Sequence, residues 1–130
     1  MKQAKRKSNS AERDISIVLC GGAGLGIQTV EQLLTRMLKM SGYYVFATKE
    51  YMSRVRGGSN STQIRVSDKP VQAPVERIDI LIPLDEDAVS HVINRIDRKT
   101  IIIGDKDRLK TDREVIDFSF LDITKEIGNA

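Results

Sequence analysis

Residues 15–20 (ISIVLC) form one short, mostly apolar run, and Gly21, Gly22, Gly24 and Gly26 follow at once. With only the small Ser16 among them, these residues put apolar side chains on both faces, so the strand belongs inside a sheet covered on both sides, as parallel sheets are. The period then changes. Ile27, Val30, Leu34, Met37 and Leu38 recur at helical spacing, with Gln28, Glu31, Gln32, Thr35 and Arg36 between them. This predicts a helix over 25–40, with Lys39 near its C-terminal end and Gly42 as its stop. Residues 43–48 (YYVFAT) are aromatic and β-branched, which predicts a second strand. Strand, glycine turn, helix and strand together make one βαβ unit, with its two strands parallel and its crossover right-handed.

The rest of the chain extends this pattern. Residues 50–60 (EYMSRVRGGSN) have no clean period and read as a loop. Residues 61–66 (STQIRV) alternate, so a strand with one wet face is expected, closed by a turn at Ser67-Asp68-Lys69-Pro70. Residues 78–84 (IDILIPL) read as a buried strand that ends at Pro83. A helix is expected over 86–98, its apolar stripe formed by Ala88, Val89, Val92, Ile93 and Ile96. Strands follow at 100–104 (TIIIG) and 115–121 (VIDFSFL). The fold class implied is α/β: a three-layer, Rossmann-like arrangement around a mixed, mainly parallel sheet of about five strands. The expected core is Ile17, Val18, Leu19, Val30, Leu34, Val45, Ile80, Leu81, Ile101 and Ile102. Asp122 or Thr124 reads as the cap of a further helix begun by Ile123 and Ile127. That helix would reach only about two turns by Ala130, so the polypeptide is expected to continue. A sheet left partly uncovered is expected to promote self-association.

Charge narrows the range of partners. The net charge is +3. Lys2, Lys5, Arg6, Lys7 and Arg13 stand against Glu12 alone in the first thirteen residues, so the remainder is slightly acidic. Residues 1–13 read as a disordered basic tail, and 14–130 as the folded domain. A nucleic-acid surface is not expected on that domain. The tail lacks the apolar centre of a secretory signal, no apolar stretch is long enough to span a membrane, and a cytoplasmic location is expected. Cys20 is the only cysteine. An internal disulfide is therefore impossible, and so is any multi-cysteine Fe–S or zinc site built from this chain.

Two motifs could carry chemistry. Gly22, Gly24 and Gly26 lie in a strand-to-helix turn, where backbone amides and the positive helix end can meet a phosphate. A dinucleotide fingerprint started at Gly22 would need glycine where Ile27 stands, so a tight turn is the plainer reading. Glu50 occupies roughly the place of a ribose-binding acid. The second motif is Arg54, Arg56, Gly57, Gly58, Ser59, Asn60 and Ser61. Forked cations beside unshielded amides and small hydroxyl or amide side chains suit a phosphate or carboxylate. They equally suit a loop packed on a partner subunit, and the residues alone leave both readings open. His91 lacks neighbours at metal-ligand spacing, so no metal site is expected. Cys20, at the end of a buried strand, reads as an inert core thiol. No catalytic residue is identified.

Taken in order, the segments ISIVLCGGAGLGIQTV (15–30) and GYYVFATKEYMSRVRGGSNSTQIRVSD (42–68) resemble the gamma domain of 2-oxoacid:ferredoxin oxidoreductases. YMSRVRGGSNS is the most specific part. The likeness continues more loosely through Val71-Gln72-Ala73-Pro74 and IDILIPLD. Ala23-Gly24-Leu25-Gly26 departs from the Gly-Gln-Gly type of turn, with no polar side chain at Leu25. The resemblance implies the N-terminal part of a fused alpha subunit, with a thiamine-diphosphate domain beyond it. The implied reaction converts a 2-oxoacid (2-oxoglutarate first, pyruvate or branched-chain oxoacids otherwise), CoA and oxidised ferredoxin to acyl-CoA, carbon dioxide and reduced ferredoxin. Thiamine diphosphate, magnesium, Fe–S clusters and CoA would belong to the complex, none being bound by this chain alone. The partners implied are the thiamine-diphosphate and Fe–S subunits, with ferredoxin indirectly. The role implied for this domain is assembly, with Arg54 to Ser61 near CoA phosphates. Two other functions stay open on the residues: a free-standing nucleotide-binding Rossmann-like protein, and an interaction module without a ligand.

Overall fold

The computed structural model describes residues 13–21, 26–51, 60–109, 111–119 and 122. Six strands form one sheet: β1 (Asp14–Gly21), β2 (Tyr44–Tyr51), β3 (Asn60–Ser67), β4 (Ile80–Pro83), β5 (Ile101–Gly104) and β6 (Val115–Asp117), in the order β2-β3-β1-β4-β5-β6. β3 is antiparallel to both of its neighbours, and every other pairing is parallel. β1 and β2 therefore run in the same direction, joined through α1 (Ile27–Met40). They are not adjacent, because β3 lies between them. These are the six strand segments expected from the sequence, in a sheet put overall at about five strands.

The sheet is covered on both faces, and alternation along β1 shows how. Ile17 and Leu19 point to one side, where they pack with Val30 of α1, Ile64, Val66, Ile82 and Leu84. Val18 and Cys20 point to the other, among Leu81, Ala88, Val89, Val92 and Ile102. A strand with apolar side chains on both faces thus feeds two cores at once, with the small Ser16 buried beside them. Each fully buried aliphatic side chain contributes about 1.5–3 kcal/mol. α1 ends as its sequence predicts. Gly42 has φ +94°, Gly42 N–H donates to the Lys39 carbonyl, and Tyr43 N–H donates to the Leu38 carbonyl. This Schellman pattern satisfies the last carbonyls with a left-handed residue.

Three expectations are corrected. First, β3 has no wet face. Ser61, Thr62, Gln63 and Ile64 are all buried. Its polar positions are satisfied from within. Gln63 Nε2 donates to the Val75 carbonyl at 2.6 Å, and Val75 N–H donates to Gln63 Oε1 at 2.9 Å. Arg65 makes a two-pronged contact with Asp14 and also donates to the Ala73 carbonyl. Segment 71–79 therefore lies over a face that polarity alone assigns to water. Second, the helix expected over 86–98 is broken into α2 (Ala88–His91) and a 3₁₀ turn (Ile93–Arg95). Val92 at φ −118° interrupts the helix and Ile96 is extended. Asp97 N–H, which a helix would keep, donates instead to Thr100 Oγ1. Ala88, Val89 and Val92 keep their core contacts, whereas Ile93 is exposed. Third, of the expected core, Ile101 is 46% exposed, and Leu34, Val45 and Ile80 are only partly buried. Strand ends shift as well. β2 runs on through Glu50 and Tyr51, and β6 stops at Asp117 rather than 121. Arg13, expected in the tail, accepts a hydrogen bond from Asp68 N–H and donates one to Tyr43 Oη. The helix expected after Asp122 and the rest of the basic tail lie outside the described residues.

Candidate functional site

The two motifs singled out by sequence leave the sheet side by side. Gly21, the last residue of β1, is the register partner of Asn60, which in turn pairs with Tyr51. The glycine turn departs from Gly21. The arginine-containing segment departs from Tyr51 and re-enters at Asn60. Both spring from the C-terminal end of β1, the end where open α/β sheets hold ligands. α1 begins at Gly26 (φ 80°), which has no side chain to cap it, and no acid stands in the first turn. Among the described residues no side chain caps this helix start, and a start of this kind keeps amides available to an anion.

One row further into the sheet, Cys20, Ser61 and Glu50 stand in register across β1, β3 and β2. Glu50 Oε2 accepts from Ser61 Oγ at 3.2 Å and from an Arg95 guanidinium nitrogen at 2.6 Å. Arg95 also donates to the Glu76 and Val75 carbonyls, at 3.0 and 3.4 Å. This carboxylate is thus engaged inside the protein, against its reading as a ribose-binding acid. Cys20 is fully buried, and its thiol lies against the Ala88 carbonyl. Burial first, and then the negative charges of Asp85 and Glu50, push the thiol up to about 12. It therefore stays protonated and is no nucleophile.

The sequence-predicted residues fare unequally. Gly26 sits at the start of α1. Asn60 is exposed at the first position of β3 rather than in a loop. Ser61, expected in an anion shell, is 2% exposed, and its hydroxyl is directed to Glu50. Strand placement explains this, since its side chain falls between those of Cys20 and Glu50. Gly22, Gly24, Arg54, Arg56, Gly57, Gly58 and Ser59 lie outside the described residues. Sequence reasoning missed Arg95, which reads as an ordinary solvated charge on a helix. Its partner Glu50 is 45 residues away, and no local signal joins the two. Among the described residues no group of three or more potential metal ligands occurs, and no helix is long and apolar enough to cross a membrane.

Comparison with known proteins places this geometry. The family model for pyruvate ferredoxin/flavodoxin oxidoreductase matches residues 16–130. The chain is 33% identical over 92 residues to a 2-oxoacid:ferredoxin oxidoreductase subunit alpha of Sulfolobus sp., covering 71% of this chain and 14% of that subunit. It is 28% identical over 118 residues to the 2-oxoglutarate synthase subunit KorC of Archaeoglobus fulgidus, covering 89% of this chain and 63% of KorC. The fold is similar to that of the 2-oxoglutarate:ferredoxin oxidoreductase from Magnetococcus marinus, solved with 2-oxoglutarate, coenzyme A and succinyl-CoA bound. There the TM-score is 0.67 at 18% identity, over 88% of this chain and 21% of that one. The chain therefore spans only part of each of these relatives. With the family model matched from Ser16 to Ala130, the chain belongs to the pyruvate ferredoxin/flavodoxin oxidoreductase family.

Proposed function

We propose that this chain is the gamma domain of a 2-oxoacid:ferredoxin oxidoreductase, without catalytic groups of its own, and that it lends the segment from Arg54 to Asn60 to the binding of CoA phosphates. The carrying observation is the pattern of coverage. The same stretch matches a small part of a long alpha subunit and most of the short subunit KorC. A domain that occurs both fused and separate has that signature. 2-Oxoglutarate is the oxoacid proposed, on the likeness to KorC and to the Magnetococcus enzyme.

In the complex, the oxoacid loses its carboxyl group as carbon dioxide, the acyl carbon forms a thioester with CoA, and the electron pair released passes to ferredoxin. Thiamine diphosphate and Fe–S clusters supply the carbanion and redox chemistry when bound. The described residues do not fit those groups. One buried cysteine cannot hold a cluster, and the described residues offer no metal-ligand group. We assign these cofactors to partner domains, in a complex proposed to be cytoplasmic. For CoA the donor set is better suited. Arg95 is already matched by Glu50, so the positive charge for a phosphate would come from Arg54 and Arg56. Gly57, Gly58 and Ser59 would let backbone amides approach, with Asn60 beside them. Gly22, Gly24 and Gly26 are the second place where a phosphate would meet amides.

In the assembled enzyme, Arg54→Ala or Arg56→Ala should raise the apparent KM for CoA by about tenfold to a hundredfold, the worth of one charge-assisted hydrogen bond. Oxoacid-dependent steps that precede CoA should change little. Variants that assemble normally and keep wild-type CoA dependence would reduce the segment to a contact surface.

A further inference from the structure

One face of β5 and β6 is left open, and the topology gives the reason. Right-handed crossovers from β4 to β5 and from β5 to β6 pass over a single face. α2 lies there, with Val89 and Val92 packed among Val18, Leu81 and Ile102. α1 lies on the opposite face, because β1 to β2 steps the other way along the sheet, and it covers β1, β2 and β3. No right-handed crossover between the described strands reaches the α1 face of β5 and β6. Ile80 and Ile103 pack on that face, and they are the register partners of Ile101 and Ile116. Ile101 and Ile116 are nevertheless 46% and 55% exposed. α1 supplies a wall beside them. Its Glu31 and Thr35 side meets Ala47 of β2. Leu33 and Met37 stand on the other flank of the helix, toward β4, and both are exposed. At the N-terminal ends of β5 and β6, Arg98, Lys99, Arg113 and Glu114 line a hollow of about 500 Å3 that Ile101 and Ile116 also border. Arg113 donates to the Asp97 carbonyl. Among the described residues no carboxylate pairs with Arg98, Lys99 or Arg113.

We infer that this face docks one amphipathic helix of a partner subunit, laid antiparallel to β5 and β6 with its C-terminal end over Arg98, Lys99 and Arg113. That the helix comes from the oxidoreductase assembly rests on the function proposed above. Width and charge carry the inference. Neighbouring strands lie roughly 4.8 Å apart, so β5, β6 and the margin of β4 offer about 10 Å, the width of a single helix. The floor of isoleucines and the flank of Leu33 and Met37 match an apolar stripe along such a helix. A helix ends in unpaired carbonyls and a negative pole, which cations stabilise. The three cations stand where the C-terminal end arrives when the helix runs against the strands. The reverse orientation would set unpaired N–H groups and the positive pole against them.

The test is sedimentation equilibrium of the full chain, alone and with the thiamine-diphosphate and Fe–S partners, for wild type, Ile116→Glu, Leu33→Glu and Arg98→Glu. Met40→Glu serves as the control, since Met40 borders the β2 side of α1 with Ala47. Ile116→Glu and Leu33→Glu should each weaken assembly by about tenfold or more, because they bury an unpaired charge in the contact. Both positions are exposed in the chain itself, so its urea midpoint should not move. Arg98→Glu should weaken assembly about three- to tenfold, and the difference should shrink in high salt. Met40→Glu should assemble like wild type. Assembly that Ile116→Glu and Leu33→Glu leave unchanged overturns the inference. A dimer of the chain alone that Ile116→Glu dissolves, with the complex intact, also overturns it and assigns the face to a second copy. A lowered urea midpoint with assembly intact overturns it in favour of residues 119–130 of this chain. If the wild-type chain binds neither partner, the proposed function falls as well. If it binds and the variants bind equally, only the docking face is wrong.

Discussion

Asp14 accepts from Arg65 Nε at 3.0 Å and from a second Arg65 nitrogen at 2.8 Å, and Arg77 approaches the same carboxylate at 3.3 Å. The Arg65 guanidinium is the largest cause that holds its carboxyl below the ordinary 3.8. A lowered native value means that the folded state binds the proton less tightly than the unfolded chain. The stabilisation is therefore complete above the ordinary value and lost as pH falls through the lower folded one. Asp14→Asn should be less stable than wild type at neutral pH by about 1 kcal/mol, a figure kept small because the pair is partly exposed. Urea unfolding at several pH values should show the two proteins converging in strong acid; a gap that persists there would contradict the assignment. At this scale the sequence is legible where one residue decides alone. Cys20 follows an apolar run, and its inert burial can be read directly. Gln63 and Arg95 cannot be read this way. Their polarity suggests water, and only the return of segment 71–79 across the sheet supplies the carbonyls that satisfy them.

The elements divide along the same line. α1 is specified locally by its apolar stripe and by Gly42, so the expected helix and the observed one share a C-terminus at Met40. A Cβ at Gly42 would meet nothing within 4 Å, so Gly42→Ala tests backbone strain without a clash. It should cost about 1 kcal/mol, the penalty for holding a non-glycine residue in the left-handed region. The check is a lowered urea midpoint at unchanged m-value; an unchanged midpoint would place the helix stop elsewhere. α2 was less legible. Its apolar stripe is genuine, but the hydrogen bonds that shorten it come from Thr100 and from the carbonyls that Arg95 reaches. The insertion of β3 between β1 and β2 likewise depends on an eight-residue antiparallel register with β1, set by strands far apart in the chain. The candidate site was half legible. Its motifs stood out by composition, whereas their adjacency at Gly21, Tyr51 and Asn60 is a property of that register.

At the scale of the whole molecule, the two faces of the sheet are not equally covered by the described residues. Among the described residues, Ile101, Ile116 and Phe118 on the β5–β6 side are exposed. We propose that this domain supports a larger assembly and carries no reaction of its own. Its one thiol is buried, Glu50 is engaged by Arg95, and the described residues present no metal-ligand group. The central proposal is that the domain contributes to 2-oxoacid oxidation without performing it. The most direct test is reduction of a viologen dye, dependent on both 2-oxoacid and CoA, by this chain alone, by the thiamine-diphosphate and Fe–S partners alone, and by the reconstituted complex. The account predicts turnover only in the complex. Turnover by this chain alone, or undiminished turnover by the partners without it, would contradict the claim.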